Sequence, residues 1–144
     1  MVADNFSRKQ YVLELLSEVW SQGNLDRIEF LIASEYTIFH DPGDPWNGRV
    51  LTVQEYADRV AKSRAPFPDQ RFTVVDLLED GEKVAVTWHW VGTHLAEIAG
   101  FAPSGRKLAM SGATVYSFNG ERICGHWQIS DRLSIFQQLH GGSA

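Results

Sequence analysis

The dipeptide Asn119–Gly120 constrains this chain more than any other short stretch. Asn-Gly between two alternating runs is the strongest hairpin signal in the chain. Lys107 to Phe118 alternates on one side of it, and the run up to about Ser130 alternates on the other. Within the second run, Ile123, Gly125, Trp127 and Ile129 share one face. Arg122, Cys124, His126, Gln128 and Ser130 share the opposite one. At Asp131 the period changes, and Leu133, Phe136 and Leu139 follow helical spacing. A second turn, Asp80–Gly81, joins a strand over 71–78 to a long strand over 83–94. Residues 95–105, with Pro103 and Gly105, read as a loop or bulged connection.

The helical signals precede this block. Val12, Leu15, Leu16, Val19 and Trp20 form one stripe of a helix over 7–22, which Ser7 can cap and Gly23 ends. Asn24 can cap a shorter second helix containing Leu25, Ile28, Leu31 and Ile32. A short strand over 36–40 then enters the loop HDPGDPWNG, rich in Pro, Gly and Asp, with Trp46 inside it. Thr52 and Glu55 make a capping box for a third helix, whose inward residues are Val53, Tyr56, Ala57, Val60 and Ala61. Pro66 and Pro68 end it. Helices first and strands after imply an α+β fold, with one curved, largely antiparallel sheet packed on helices. No repeat or linker divides the chain, so residues 1–144 read as a single domain.

Composition removes several classes of function. The net charge is −5 and no Lys/Arg cluster stands out, so neither nucleic acid nor an anionic membrane surface is an expected partner. Cys124 is the only cysteine, which excludes a disulfide framework. The start, MVADNFSRKQ, lacks the apolar run of a signal peptide, and no stretch approaches the ~20 apolar residues of a membrane span. A cytoplasmic protein is expected. Metal binding is not: His89 and His94 lie five apart on a strand, on opposite faces, and no HExxH or Cys/His quartet exists. The terminal GGSA follows a helix rather than opening one, so it is no phosphate loop, and no Gly-x-Ser-x-Gly elbow is present.

Three stretches carry a resemblance. GTHLAEIAGFAPSGRK (92–107), NGERICGHWQISD (119–131) and YTIFHDPGD (36–44) are similar, in the same order, to segments of the SnoaL-like polyketide cyclases. That family lies in the nuclear-transport-factor-2-like superfamily. The resemblance implies a cone-shaped α+β barrel, its curved antiparallel or mixed sheet wrapped around N-terminal helices over a deep apolar cavity. It also implies ring closure by an intramolecular aldol reaction without metal or organic cofactor, and frequent homodimers. In typical members an Asp just after the Trp position moves the proton, helped by a His on the neighbouring strand. Here Gln128 stands at the Asp position and Tyr116 at the His position. An amide cannot remove a proton at neutral pH.

The replacement base is sought in Asp131 or Asp41, with His126, Gln128, Tyr116 and His94 as polar partners. Asp131 is open to a plainer role as helix N-cap. Asp41 matches a ligand-contacting Asn of the family, and is equally open to an Asx-turn. His94 either donates to a substrate oxygen or bonds a backbone group. Gln128 could steady an enolate oxygen. Trp88 and Trp90, on one strand face, with Trp46 and Trp127, serve as core or as lining for a small apolar substrate. Patterning favours the Trp127 face of its strand as the pocket wall, whereas the resemblance favours the Gln128 face. The expected function is a cyclase or isomerase of a polyketide-like metabolite. A non-catalytic binding module and an epoxide-hydrolase-like enzyme on the same cone are the alternatives.

Overall fold

A computed structural model describes residues 6–141. The first five residues of the N-terminal segment and the last three of GGSA lie outside it. Helix α1 (Arg8–Glu14) starts at a Ser7 capping box completed by Gln10. It passes directly into a π-helical segment, Leu15–Ser21, rather than continuing as a regular helix. Wider winding frees carbonyls from the ladder, and side chains collect them. Arg64 Nε and Gln70 Nε2 donate to the Trp20 carbonyl, and Arg64 Nη2 donates to that of Ser21.

The second helix is shorter than its periodicity suggests. A 3₁₀ turn (Leu25–Arg27) leads into α2 (Ile28–Leu31), and Ile32 already opens strand β1 (Ile32–His40). Asn24 does not cap it; its amide nitrogen lies 3.4 Å from Glu18 Oε1. A two-residue strand β2 (Val50–Leu51) follows the Pro-Gly loop. Helix α3 (Val53–Arg64) has the expected Thr52–Glu55 box. Strands β3 (Arg71–Asp80), β4 (Lys83–Thr93), β5 (Lys107–Asn119) and β6 (Arg122–Ser130) form the meander, and α4 (Arg132–Gly141) closes the fold.

The six strands run in the order β2-β1-β6-β5-β4-β3. All pairs are antiparallel except β1 with β6, so the sheet is mixed. Its inner face meets α1, the π segment and α3 over one core. Val84, Val86, Trp88 and Trp90 of β4 all point into that core, as the alternation requires.

Strand β6 departs from simple alternation. Its register against β5 slips between Ser117 and Phe118, where Ser117 faces Gly125 but Phe118 faces Ile123. Cys124 is the extra residue of this bulge. Ile123 and His126, which alternation places on opposite faces, are therefore both buried. Gly125 permits it: a Cβ there would lie 2.5 Å from the Thr37 carbonyl and 2.5 Å from the Phe39 ring.

Candidate active site

A cavity of about 680 Å³ lies between the inner sheet face and the helices. The π-helical winding presents Leu16 and Trp20 to it, and β4 adds Trp88 and Trp90. Trp46, Ile98 and Phe136 line it as well, from the Pro-Gly loop, the 95–105 connection and α4. The lining is mostly apolar, with a polar patch where β1, β5, β6 and α3 converge.

Asp41 sits behind that patch, just after β1, with no exposed surface. His126 Nε2 donates to its Oδ2 at 2.9 Å, and Gln128 Nε2 lies 3.2 and 3.3 Å from its two oxygens. Arg59 from α3 and Arg132 from α4 reach it at 3.3 and 3.2 Å. Arg59 also pairs with Asp44 at 3.0 Å. Two carboxylates thus face two guanidiniums, and the cluster is balanced with His126 uncharged. Buried charges persist only when paired this fully.

The other ring nitrogen fixes the direction of the chain. A carboxylate can only accept, so His126 carries its proton on Nε2, and Nδ1 accepts from the Tyr36 hydroxyl at 2.6 Å. The sequence of groups is Asp41, His126, Tyr36. Tyr36 and His126 both line the cavity, whereas Asp41 does not. Burial pushes His126 below its ordinary pKa against the opposing pull of Asp41, so the ring is neutral near pH 7. Burial alone would raise Asp41, but the His126 hydrogen bond and the charges of His126, Arg59 and Arg132 hold it below the usual carboxylate range. Burial raises the phenols of Tyr36, Tyr56 and Tyr116, so all three stay protonated.

The family model of SnoaL-like polyketide cyclases matches residues 10–139. The chain belongs to the SnoaL-like polyketide cyclase family. Among solved structures, a protein described as a candidate polyketide cyclase from Acidithiobacillus ferrooxidans is 46% identical. It covers 99% of this chain and 100% of its own, with a TM-score of 0.90. IdmH from Streptomyces antibioticus, also described as a candidate polyketide cyclase, is 28% identical over 94% of this chain and 99% of its own, at 0.80. AclR from Streptomyces galilaeus, described as a candidate hydroxylase, shares the fold at a TM-score of 0.77 and 17% identity, over 93% and 96% of the two chains. No curated protein matches the sequence.

Within this SnoaL-like site, Asp41, His126 and Gln128 come together as one cluster, and Tyr116, Trp88, Trp90 and Trp46 line the cavity beside it. Gln128 has its amide nitrogen turned to Asp41, while its Oε1 accepts from Thr114, which in turn accepts from Trp88 Nε1 at 2.9 Å. Both ends of its amide are thus engaged by protein groups, while the side chain lines the cavity. Three expected residues lie elsewhere. Asp131 is exposed and caps α4 through the Ser134 N–H at 3.1 Å, the plainer of its two roles. Trp127 points to the outer sheet face, 47% exposed and stacked on His40, so the His126/Gln128 face forms the wall. His94 is buried at the base of the 95–105 connection, outside the cavity lining, with Nδ1 bonded to Ser104.

The residues that sequence reasoning missed are Arg59, Tyr36 and Arg132. Arg59 lies three residues after Tyr56 on α3, on the same inward stripe. A buried cation on that stripe signals a buried anion opposite it. Tyr36 and Arg132 carry no comparable signal. Among the described residues, no group of three or more His, Cys, Asp and Glu side chains converges to hold a metal, and no helix is long and apolar enough to cross a membrane.

Proposed function

We propose that this protein catalyses cofactor-independent ring closure or isomerisation of an apolar, oxygenated, polyketide-like metabolite by proton transfer next to a carbonyl. The Asp41–His126–Tyr36 chain, ending on the wall of the apolar cavity, carries this reading. The substrate C–H proton passes to the Tyr36 oxygen as the Tyr36 proton moves to His126 Nδ1. Asp41 then faces an imidazolium and offsets its charge. The enolate formed attacks a carbonyl carbon of the same molecule: a C–C bond forms, the C=O π bond breaks, and the new alkoxide takes back the proton by the reverse relay. No net proton or electron is gained. The Trp-lined cavity holds the chain folded on itself, which supplies much of the rate.

Exchange of the acidic hydrogens of a synthetic linear β-diketone in D₂O, followed by NMR, tests the proton transfer. The protein should accelerate exchange, and His126→Gln should lose about 10²–10⁴-fold of that acceleration. Equal exchange in both proteins would reject the relay. A ligand that binds and is recovered with every hydrogen unexchanged would point to a binding module instead.

A further inference from the structure

Among the described residues around His126, the polar side chains are tied to one another, with Tyr116 the exception; farther along β6, Ser130 Oγ on the cavity wall is also unpaired. Tyr36 donates to His126, Tyr56 accepts from Trp20 Nε1 at 3.0 Å, and Gln128 is held by Asp41 and Thr114. Tyr116 is 4% exposed and lines the cavity, yet its hydroxyl makes no hydrogen bond among the described residues. Nor is it sealed away: the buried unpaired side-chain atoms among those residues are His94 Nε2 and Ser130 Oγ. A phenol that lines the cavity and is held by no described protein group is placed to donate to a ligand there.

Position gives that partner its chemistry. Tyr116 on β5 is the cross-strand neighbour of His126 on β6, and their rings lie 6.2 Å apart. Both side chains stand on the inner face. His126 in turn holds Tyr36, whose oxygen is the proton-accepting end of the relay, so the Tyr116 hydroxyl stands beside that relay. A donor next to a proton acceptor suits a carbonyl oxygen and the hydrogen on its α-carbon.

The geometry points to Tyr116 as a catalytic residue: its hydroxyl donates to the substrate carbonyl oxygen and holds the enolate that forms when the neighbouring relay takes the α-proton. This rests on the proton-transfer reading given above, and it narrows the substrate to a carbonyl compound whose acidic C–H adjoins the oxygen held by Tyr116. No atom is transferred to Tyr116. Its O–H bond stays intact while its hydrogen bond shortens as charge develops on the oxygen. Burial keeps its proton in place across the neutral range, and unlike Tyr36 it has no imidazole behind it to take that proton, which suits a donor.

An enolate mimic separates this role from that of the relay. The probes are 2-naphthol, presented as its anion above its own pKa, and 2-methoxynaphthalene, which has the same shape and no charge. Binding is read from tryptophan fluorescence for the native protein, Tyr116→Phe and His126→Gln. The native protein should prefer the naphtholate, and Tyr116→Phe should lose about tenfold to a hundredfold in naphtholate affinity while holding the methoxy probe unchanged. Unchanged binding of the methoxy probe also reports that the variant is folded. His126→Gln should keep the naphtholate preference. In the exchange assay Tyr116→Phe should lower the maximal rate by about 10²-fold with little change in the half-saturating concentration. A Tyr116→Phe variant with native preference for the anion would overturn the assignment. Tyr116-dependent anion binding without hydrogen exchange in any variant would overturn the relay and leave the donor standing.

Discussion

His126 gathers the consequences of the site into one side chain. It is neutral because burial opposes its charge, and it is oriented because Asp41 and Tyr36 hold both nitrogens. Its folded pKa lies below its ordinary 6.5, so between that lowered value and 6.5 the unfolded chain binds more protons than the native one. Its contribution to stability is therefore complete above 6.5 and is lost as pH falls through this window. Asp41, lowered from 3.8, extends the loss in the same direction at lower pH. Thermal melts should show a midpoint that is steady from pH 8 to 7 and declines on acidification below 6.5. His126→Gln should flatten the first part of that decline. Identical slopes in the two proteins would contradict a neutral buried imidazole. Turnover should likewise have an acid limb centred below 6.5, because only the neutral ring can accept a proton.

At the scale of elements, the cavity wall depends on glycines that make room for tryptophans. Gly112 on β5 pairs with Trp88 on β4, and a Cβ on Gly112 would stand 2.4 Å from the Trp88 ring. The indole lies over that bare backbone, and its Nε1 reaches Thr114 on the way to Gln128 and Asp41. Gly112→Ala should push the ring off this path and cost about 1–3 kcal/mol in urea unfolding. The smaller ring of Trp88→Phe in the same background should recover part of the loss, since the two changes meet at one contact. Additive effects would show that the strand, not the indole, absorbs the added methyl. Alternation placed Trp88 and Trp90 on one face correctly. It misplaced Ile123 relative to His126, because a one-residue bulge reverses parity and Cys124 carries no local signal of being the extra residue.

For the whole molecule, the outer sheet face is the unexplained surface. Val91, Trp127 and Ile129 stand on it about half exposed. Exposed aromatic and branched residues on one sheet face suit association, and the expected homodimer would form there. Sedimentation should then give twice the chain mass, and Trp127→Glu should shift the population to monomer while leaving cavity binding intact. A native protein that sediments as a monomer at high concentration would remove this face from the account.

The sequence by itself determined the class of fold, the Ser7 and Thr52 caps, the presence of the two hairpins and the family, because these depend on spacing within a few residues or on motifs in order. The hairpin turns themselves fall one residue later than the Asp-Gly and Asn-Gly pairs, on Gly81–Glu82 and Gly120–Glu121, with Asp80 and Asn119 paired in the strands. The sequence also supplied Asp41, His126, Gln128 and Tyr116 as the polar set. Only the tertiary structure decided their parts. Asp41 is ionic because α3 brings Arg59, 18 residues on, and α4 brings Arg132, 91 residues on, against it. Asp131 is a cap because α4 carries it away from the cavity. Partners that distant leave no period in the sequence. Charge state and exposure follow from what packs around a group, and packing exists only once the sheet has closed over the helices.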